Sequence, residues 1–214
     1  MPDLQFQVEE VAPITHAASP TLAFKLRISN AVANEAIHSI GLRCQVQIEP
    51  TRRHYGAQER EQLAELFGES ERWSQTLRPI LWANVSLNLA GFQESTVIDL
   101  PVPCSFDFNV AVTKYIHGLE EGDLPVSLLF SGTIFHAGRS GLQVAQIPWD
   151  REVRYRVPLR VWREMMDAYY PNTAWLCLRR DVFERLYQYK SRHGIPTWEQ
   201  AVERVLAAAA EVRP

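Results

Sequence analysis

Carboxylates, imidazoles, thiols and arginines are the groups in this chain that could carry chemistry, and their spacing decides what each could do. Asp150 and Glu152 stand two residues apart, so on a strand both would lie on one face. Such a pair does acid–base work only where the surroundings hold its two pKa values apart. Arg151, Arg154 and Arg156 are interleaved with them, and alternating charges on a strand are ordinarily solvated ion pairs of small worth. With Trp149 just before and Arg160 and Arg163 just after, the segment is better suited to docking an anionic group or a protein partner than to a reaction. The candidate partner-binding set is therefore Trp149, Arg151, Arg154, Arg156, Arg160 and Arg163. No catalytic, cofactor-binding or metal-binding residue is assigned, and no cofactor is expected.

The remaining candidates are weaker. His16, His38, His54, His117, His136 and His193 show no i, i+4 or H-x-E spacing of the kind that chelates zinc. Cys44, Cys104 and Cys177 are odd in number and far apart, which is neither a disulfide framework nor a metal knuckle. Ser140 in "AGRSGL" lacks the glycine two residues on that a nucleophile elbow requires, and its flanks read as a hairpin. Arg52, Arg53, His54 and Tyr55 make a small basic and aromatic cluster, weak evidence for nucleic acid in an acidic chain. Met165, Met166, Tyr169 and Tyr170 could form an adaptable docking face, but their helical spacing favours a core.

Composition sets outer limits. The 214 residues are 46% hydrophobic and 22% charged, with a formal net charge of -3, the profile of a soluble globular protein. No global basic field exists to recruit nucleic acid or an anionic membrane. The amino terminus carries acids where a signal peptide needs an apolar run, and no stretch approaches the roughly 20 apolar residues that span a bilayer. The expected location is the cytoplasm.

The elements that must position these groups are strands first and helices last. Leu22, Phe24, Leu26 and Ile28 alternate with Lys25, Arg27 and Ser29, and Ile40, Leu42, Cys44, Val46 and Ile48 alternate with Arg43, Gln45 and Gln47. Leu81 to Leu89, Phe106 to Val112 and two strands joined at Ala137 to Gly141 show the same period. With Leu4 to Val8 and Thr96 to Leu100, about eight strands precede residue 150. One-sided alternation predicts antiparallel pairing. A helical insertion is expected over about residues 56–78, ended by Gly68. At Pro158 the period changes from two to 3.6, so a strand gives way to a helix there. Thr197 and Gln200 predict a capped last helix. The expected fold is α+β: an antiparallel β-sandwich or curved sheet over residues 1–158, with a helical tail over 159–214 packed on the sheet.

"HSIGLRCQVQIEPTRRHY", "LPVPCSFDFNVAVTKYIHGL", "LLFSGTIF" and "IPWDREVRYRVPLRVWREMMDAYYP" together resemble an uncharacterised bacterial family, mainly actinobacterial, associated with gene clusters for nickel-iron hydrogenases. The resemblance implies a bacterial cytoplasmic protein with an accessory or assembly role, whose partners would include hydrogenase subunits. "PNTAWLCLRRDVFERLYQY" is also similar to the end of the SecB export chaperone, which implies a holdase that forms oligomers. The insertion at 56–78 and the extra strands depart from the SecB pattern. Three expectations follow: a non-catalytic binding or assembly protein, a chaperone holding extended apolar segments, and an enzyme whose site is assembled from scattered residues. The expected partner is a protein, with no nucleic acid and no membrane, and self-association is left open.

Overall fold

The computed structural model describes residues 1–32, 35–104, 110–138, 141–173 and 178–211. Within Met1–Thr173 two antiparallel sheets enclose the core. The smaller has strand order β1-β2-β5, from β1 (Leu4–Pro13), β2 (Thr21–Asn30) and β5 (Ser95–Pro103). The larger is built from β3 (Ile37–Ile48), β4 (Ile80–Phe92), β6 (Asp123–Gly138), β7 (Gly141–Gln146) and β8 (Glu152–Pro158). Its order is β4-β3-β6-β7, with β8 also paired to β6. The fold is α+β with a sheet-based core, as the alternation predicts.

The predicted inward residues do close the core. Leu22, Phe24, Leu26 and Ile28 are fully buried, and Ile40, Leu42, Cys44, Val46 and Ile48 are buried opposite them. Aromatic contacts bridge the sheets: Phe6 stacks on Phe130 with centroids 4.2 Å apart, and Phe24 meets Trp82 and Tyr155 edge-on. Each buried large side chain contributes roughly 1.5–3 kcal/mol by leaving water.

One strand expectation is overturned. Residues 105–109 lie outside the described residues, and Val110 begins a helix, α3 (Val110–His117), instead of extending a strand to Val112. Val112, Tyr115, Ile116 and Leu119 are buried at helical spacing, so tertiary burial overrides the strand preference of the β-branched residues. Seven strands therefore precede residue 150 among the described residues. The insertion forms as expected, with α1 (Ala57–Phe67) and the short α2 (Trp73–Thr76). Gly68, at φ 75°, ends α1 in the left-handed region that favours glycine.

At Pro158 the chain leaves β8 and enters α4 (Leu159–Tyr169), which buries Leu159, Trp162, Met165 and Met166 and packs against β1, β2 and β8. The methionines are thus core residues. Ala174–Pro214 is a second compact unit, containing α5 (Arg180–Arg192) and α6 (Trp198–Glu211). Among the described residues no helix is long and apolar enough to cross a membrane.

Candidate functional site

The outward face of the five-stranded sheet carries the most distinctive surface. Register fixes its rows: Arg43 pairs Ser86 on one side and Ser131 on the other, while Gln45 lies between Asn84 and Leu129. Gly41 lies between Asn88 and Thr133, and Thr133 continues to Gln146. The result is a floor of amides and hydroxyls around one arginine. Two depressions of about 610 Å³ and 500 Å³ lie on it and share Arg43, Ser86 and Ser131. Arg43 is the sole charged residue lining either one among the described residues.

β7 and β8 pair with the same edge of β6, one after the other. Between them the Ile147 N–H donates to the Gly132 carbonyl and the Phe130 N–H donates to the Arg151 carbonyl, both at 2.9 Å. Pro148, Trp149 and Asp150 are therefore extruded as a short excursion pinned at both ends. Trp149 is 93% exposed at its tip and lines the 500 Å³ depression beside Arg43 and Asn84. Gly132 sits opposite this excursion at φ 142°, and a Cβ there would approach the Gly41 carbonyl oxygen to 2.1 Å. No L side chain fits that close approach.

β8 extends the face. Arg154 lies opposite Ser127, Glu152 opposite Leu129 and Arg156 opposite Pro125. Arg154 Nε donates to Glu152 at 2.9 Å and the Ser127 hydroxyl donates to the same carboxylate oxygen at 3.0 Å. The Arg154 hydrogen bond, opposed by burial and assisted by Ser127, holds the Glu152 carboxyl below its usual range. Asp150 belongs to the turn, not to β8, so the two carboxylates do not share a strand face. That removes the geometric basis for an acid–base pair.

Of the six expected docking residues, Trp149, Arg154 and Arg156 are brought to this one face. Arg151 is turned aside to Asp3, at 2.5 Å, and Arg163 donates to the Leu119 carbonyl, also at 2.5 Å. Arg160 is exposed on α4. Arg43, Gln45, Asn84 and Asn88 were legible as polar faces of separate strands, but their joining into one surface depends on register, which alternation does not specify.

The other chemistry-bearing residues are held in the scaffold. Arg53 and Glu59 form a buried ion pair at 2.5 Å, with side chains 9% and 6% exposed. Tyr55 and Tyr115 share a 2.7 Å hydrogen bond, and burial pushes Tyr55 up to about 12 and Tyr115 up as well. His136 is buried 2.6 Å from Glu35. His117 meets Trp162 edge-on, and burial, with Arg163 nearby, lowers its pKa. Burial raises the thiols of Cys44 and Cys104 to about 12, so neither is a ready nucleophile. Ser140 and Cys177 lie outside the described residues, as does part of the SecB-like segment. Among the described residues no group of three or more His, Cys, Asp and Glu could hold a metal ion. An apolar depression of about 450 Å³ lies between Pro13–His16 and α4 residues Glu164, Met165, Ala168 and Tyr169. That is the size of a small-molecule pocket.

Fold and face together define a two-sheet α+β protein with an open, amide-rich sheet surface and a projecting tryptophan. The chain belongs to a family of unknown function (DUF6084), whose model matches residues 1–214. No curated protein matches the sequence. Among solved structures it is similar to β-glucosidase 3B from Thermotoga neapolitana in complex with α-D-glucose, at 14% identity and TM-score 0.26, covering 72% of this chain and 17% of that one. The glycerol and glucose complexes of the same enzyme give the same identity and coverage, with TM-scores of 0.25. At such scores the likeness carries no argument about fold or function.

Proposed function

We propose that this chain is a non-catalytic binding or assembly protein that docks an acidic, extended segment of a protein partner on the outward face of its five-stranded sheet. The observation that carries the reading is the charge balance of that face. The outward strand positions between Ser39 and Gln47, Leu81 and Asn88, Ser127 and Phe135, Leu142 and Gln146, and Glu152 and Arg156 hold Arg43, Arg154 and Arg156 against one acid, Glu152. The chain as a whole carries a net charge of -3, so this surface runs against the bulk and complements an anionic partner. Arg43 and Arg156 have no carboxylate partner among the described residues. Tryptophan and arginine are also among the residue types most enriched where binding energy concentrates at protein interfaces.

The hydrogenase-accessory role implied by the sequence resemblance supplies the first candidate partners. The test is affinity capture of the tagged chain from its native cells, with nickel-iron hydrogenase subunits assayed by name. Expected is one stoichiometric partner, weakened by added salt and lost with Arg43→Glu or Trp149→Ala, but retained with Arg160→Ala on α4. Capture that ignores both face variants sinks the reading, as does the absence of any stoichiometric partner.

A further inference from the structure

α5 and α6 form a helical hairpin that leaves much of its apolar surface uncovered. Gly194, at φ 60°, ends α5, Ile195 is buried in the turn, and the Thr197 hydroxyl accepts the Gln200 N–H at 3.2 Å to start α6. The Trp198 ring lies 5.2 Å from Phe183 and 6.1 Å from Tyr187, with Lys190 Nζ 5.5 Å above it. These contacts and the fully buried Ala201 join the two helices. Yet Phe183, Tyr187, Trp198, Val202, Val205 and Leu206 remain 37–64% exposed. On α6 they recur at i, i+4, i+7 and i+8, and on α5 at i and i+4, so each helix shows one stripe. Because Trp198 touches both α5 aromatics, the stripes are continuous.

The flanking charges say what fits there. α5 carries Arg180, Arg185, Lys190 and Arg192 against Asp181 and Glu184. The first two turns of α6 reverse the balance, with Glu199 and Glu203 against Arg204. A two-fold axis through the face sets α5 of one copy on α6 of the other, so apolar stripe meets apolar stripe and the positive helix meets the negative one. Both contacts are made twice, the property of an isologous interface. The helices are about 20 Å long and pack roughly 10 Å apart, so the face measures about 20 by 20 Å. Such a contact falls at the small end of specific interfaces.

We propose that a second copy of this chain covers the α5–α6 face, giving a dimer held by an antiparallel four-helix bundle. It stands independently of the sheet face. The test is sedimentation equilibrium of the full chain over roughly 1 to 100 µM, the range a small interface calls for. Expected is a reversible rise from the 24.5 kDa chain towards twice that mass. Val205→Glu with Leu206→Glu weakens the association at least roughly tenfold. So does reversing α6 (Glu199→Lys with Glu203→Lys) or α5 (Arg180→Glu with Lys190→Glu), and mixing the two reversed proteins restores a dimer. That rescue separates lost contact from lost fold. A monomer at every concentration overturns the proposal by giving the face to another occupant. A dimer indifferent to these variants overturns it too, and so does one abolished by Arg43→Glu, which would place the contact on the sheet.

Discussion

Replacing Arg53 by Met tests whether the buried ion pair is what locks the helical insertion to the sheet. The Arg53 guanidinium donates to Glu59 at 2.5 Å, to the Asp123 carbonyl at 2.6 Å and to the Glu121 carbonyl, and it lies 5.9 Å from the Tyr55 ring. Glu59 in turn accepts the Gly56 N–H at 3.0 Å and the Glu120 N–H at 2.9 Å, so the start of α1, the turn before β6 and the short turn that follows β3 meet at one carboxylate. Removing the cation alone leaves a carboxylate at 6% side-chain exposure without its partner. Breaking a buried pair from one side costs about 3–5 kcal/mol, and for a unit of this size that lowers Tm by roughly 6–20 °C. Arg53→Met with Glu59→Gln should cost clearly less than the sum of the two single changes, since no unpaired charge remains. Acid sensitivity gives a second reading. Burial works against the charged form of Glu59, but the Glu120 and Gly56 amides and Arg53 outweigh it and hold its pKa below the ordinary value. A depressed carboxyl pKa gives stability that is present above the usual carboxylate range and is lost as pH falls through it, so Glu59→Gln should flatten that acid limb. Urea unfolding of the four proteins at neutral and acid pH decides it. Single-variant losses under about 1 kcal/mol, or strict additivity, would refute the lock.

Three further outcomes are expected. Gly132→Ala should destabilise the chain by roughly 2–4 kcal/mol in urea unfolding, because its Cβ would meet the Gly41 carbonyl oxygen at 2.1 Å and its φ of 142° disfavours any L side chain; a neutral change would contradict that backbone. In a Cys177→Ser background, Cys44 and Cys104 should ignore an aromatic disulfide reagent at pH 8 until urea unfolds the chain, since burial raises both thiols to about 12. Trp149→Ala should shift stability by less than about 0.5 kcal/mol, because the side chain is 93% exposed; a larger loss would mean that the indole holds the β7–β8 excursion in place.

The period-two pattern carried the core because burial on one face writes itself into every second residue, as in Ile40, Leu42, Cys44, Val46 and Ile48, all buried. It failed at Val110 and Val112, where a β-branched run coincides with a helical stripe that continues through Tyr115, Ile116 and Leu119. Over so few residues the two periods overlap, and α1, against which α3 packs, is far away in sequence. The polar outer face of the larger sheet was legible in part for the same reason. Arg154 and Arg156 sit two apart on β8 and declare a shared side, whereas Arg43 is more than a hundred residues away and joins them only through β6. Trp149 shows the converse. "IPWDR" interrupts the alternation between β7 and β8, and a strand that resumes on the same edge of β6 must push its extra residues outwards. A proline, a tryptophan and an aspartate placed in such a break add nothing to the core, since Trp149 is 93% exposed. The break in the alternation thus gives the outer face a large apolar contact, and this is why the binding reading adds Trp149 to the charge balance of Arg43, Arg154 and Arg156.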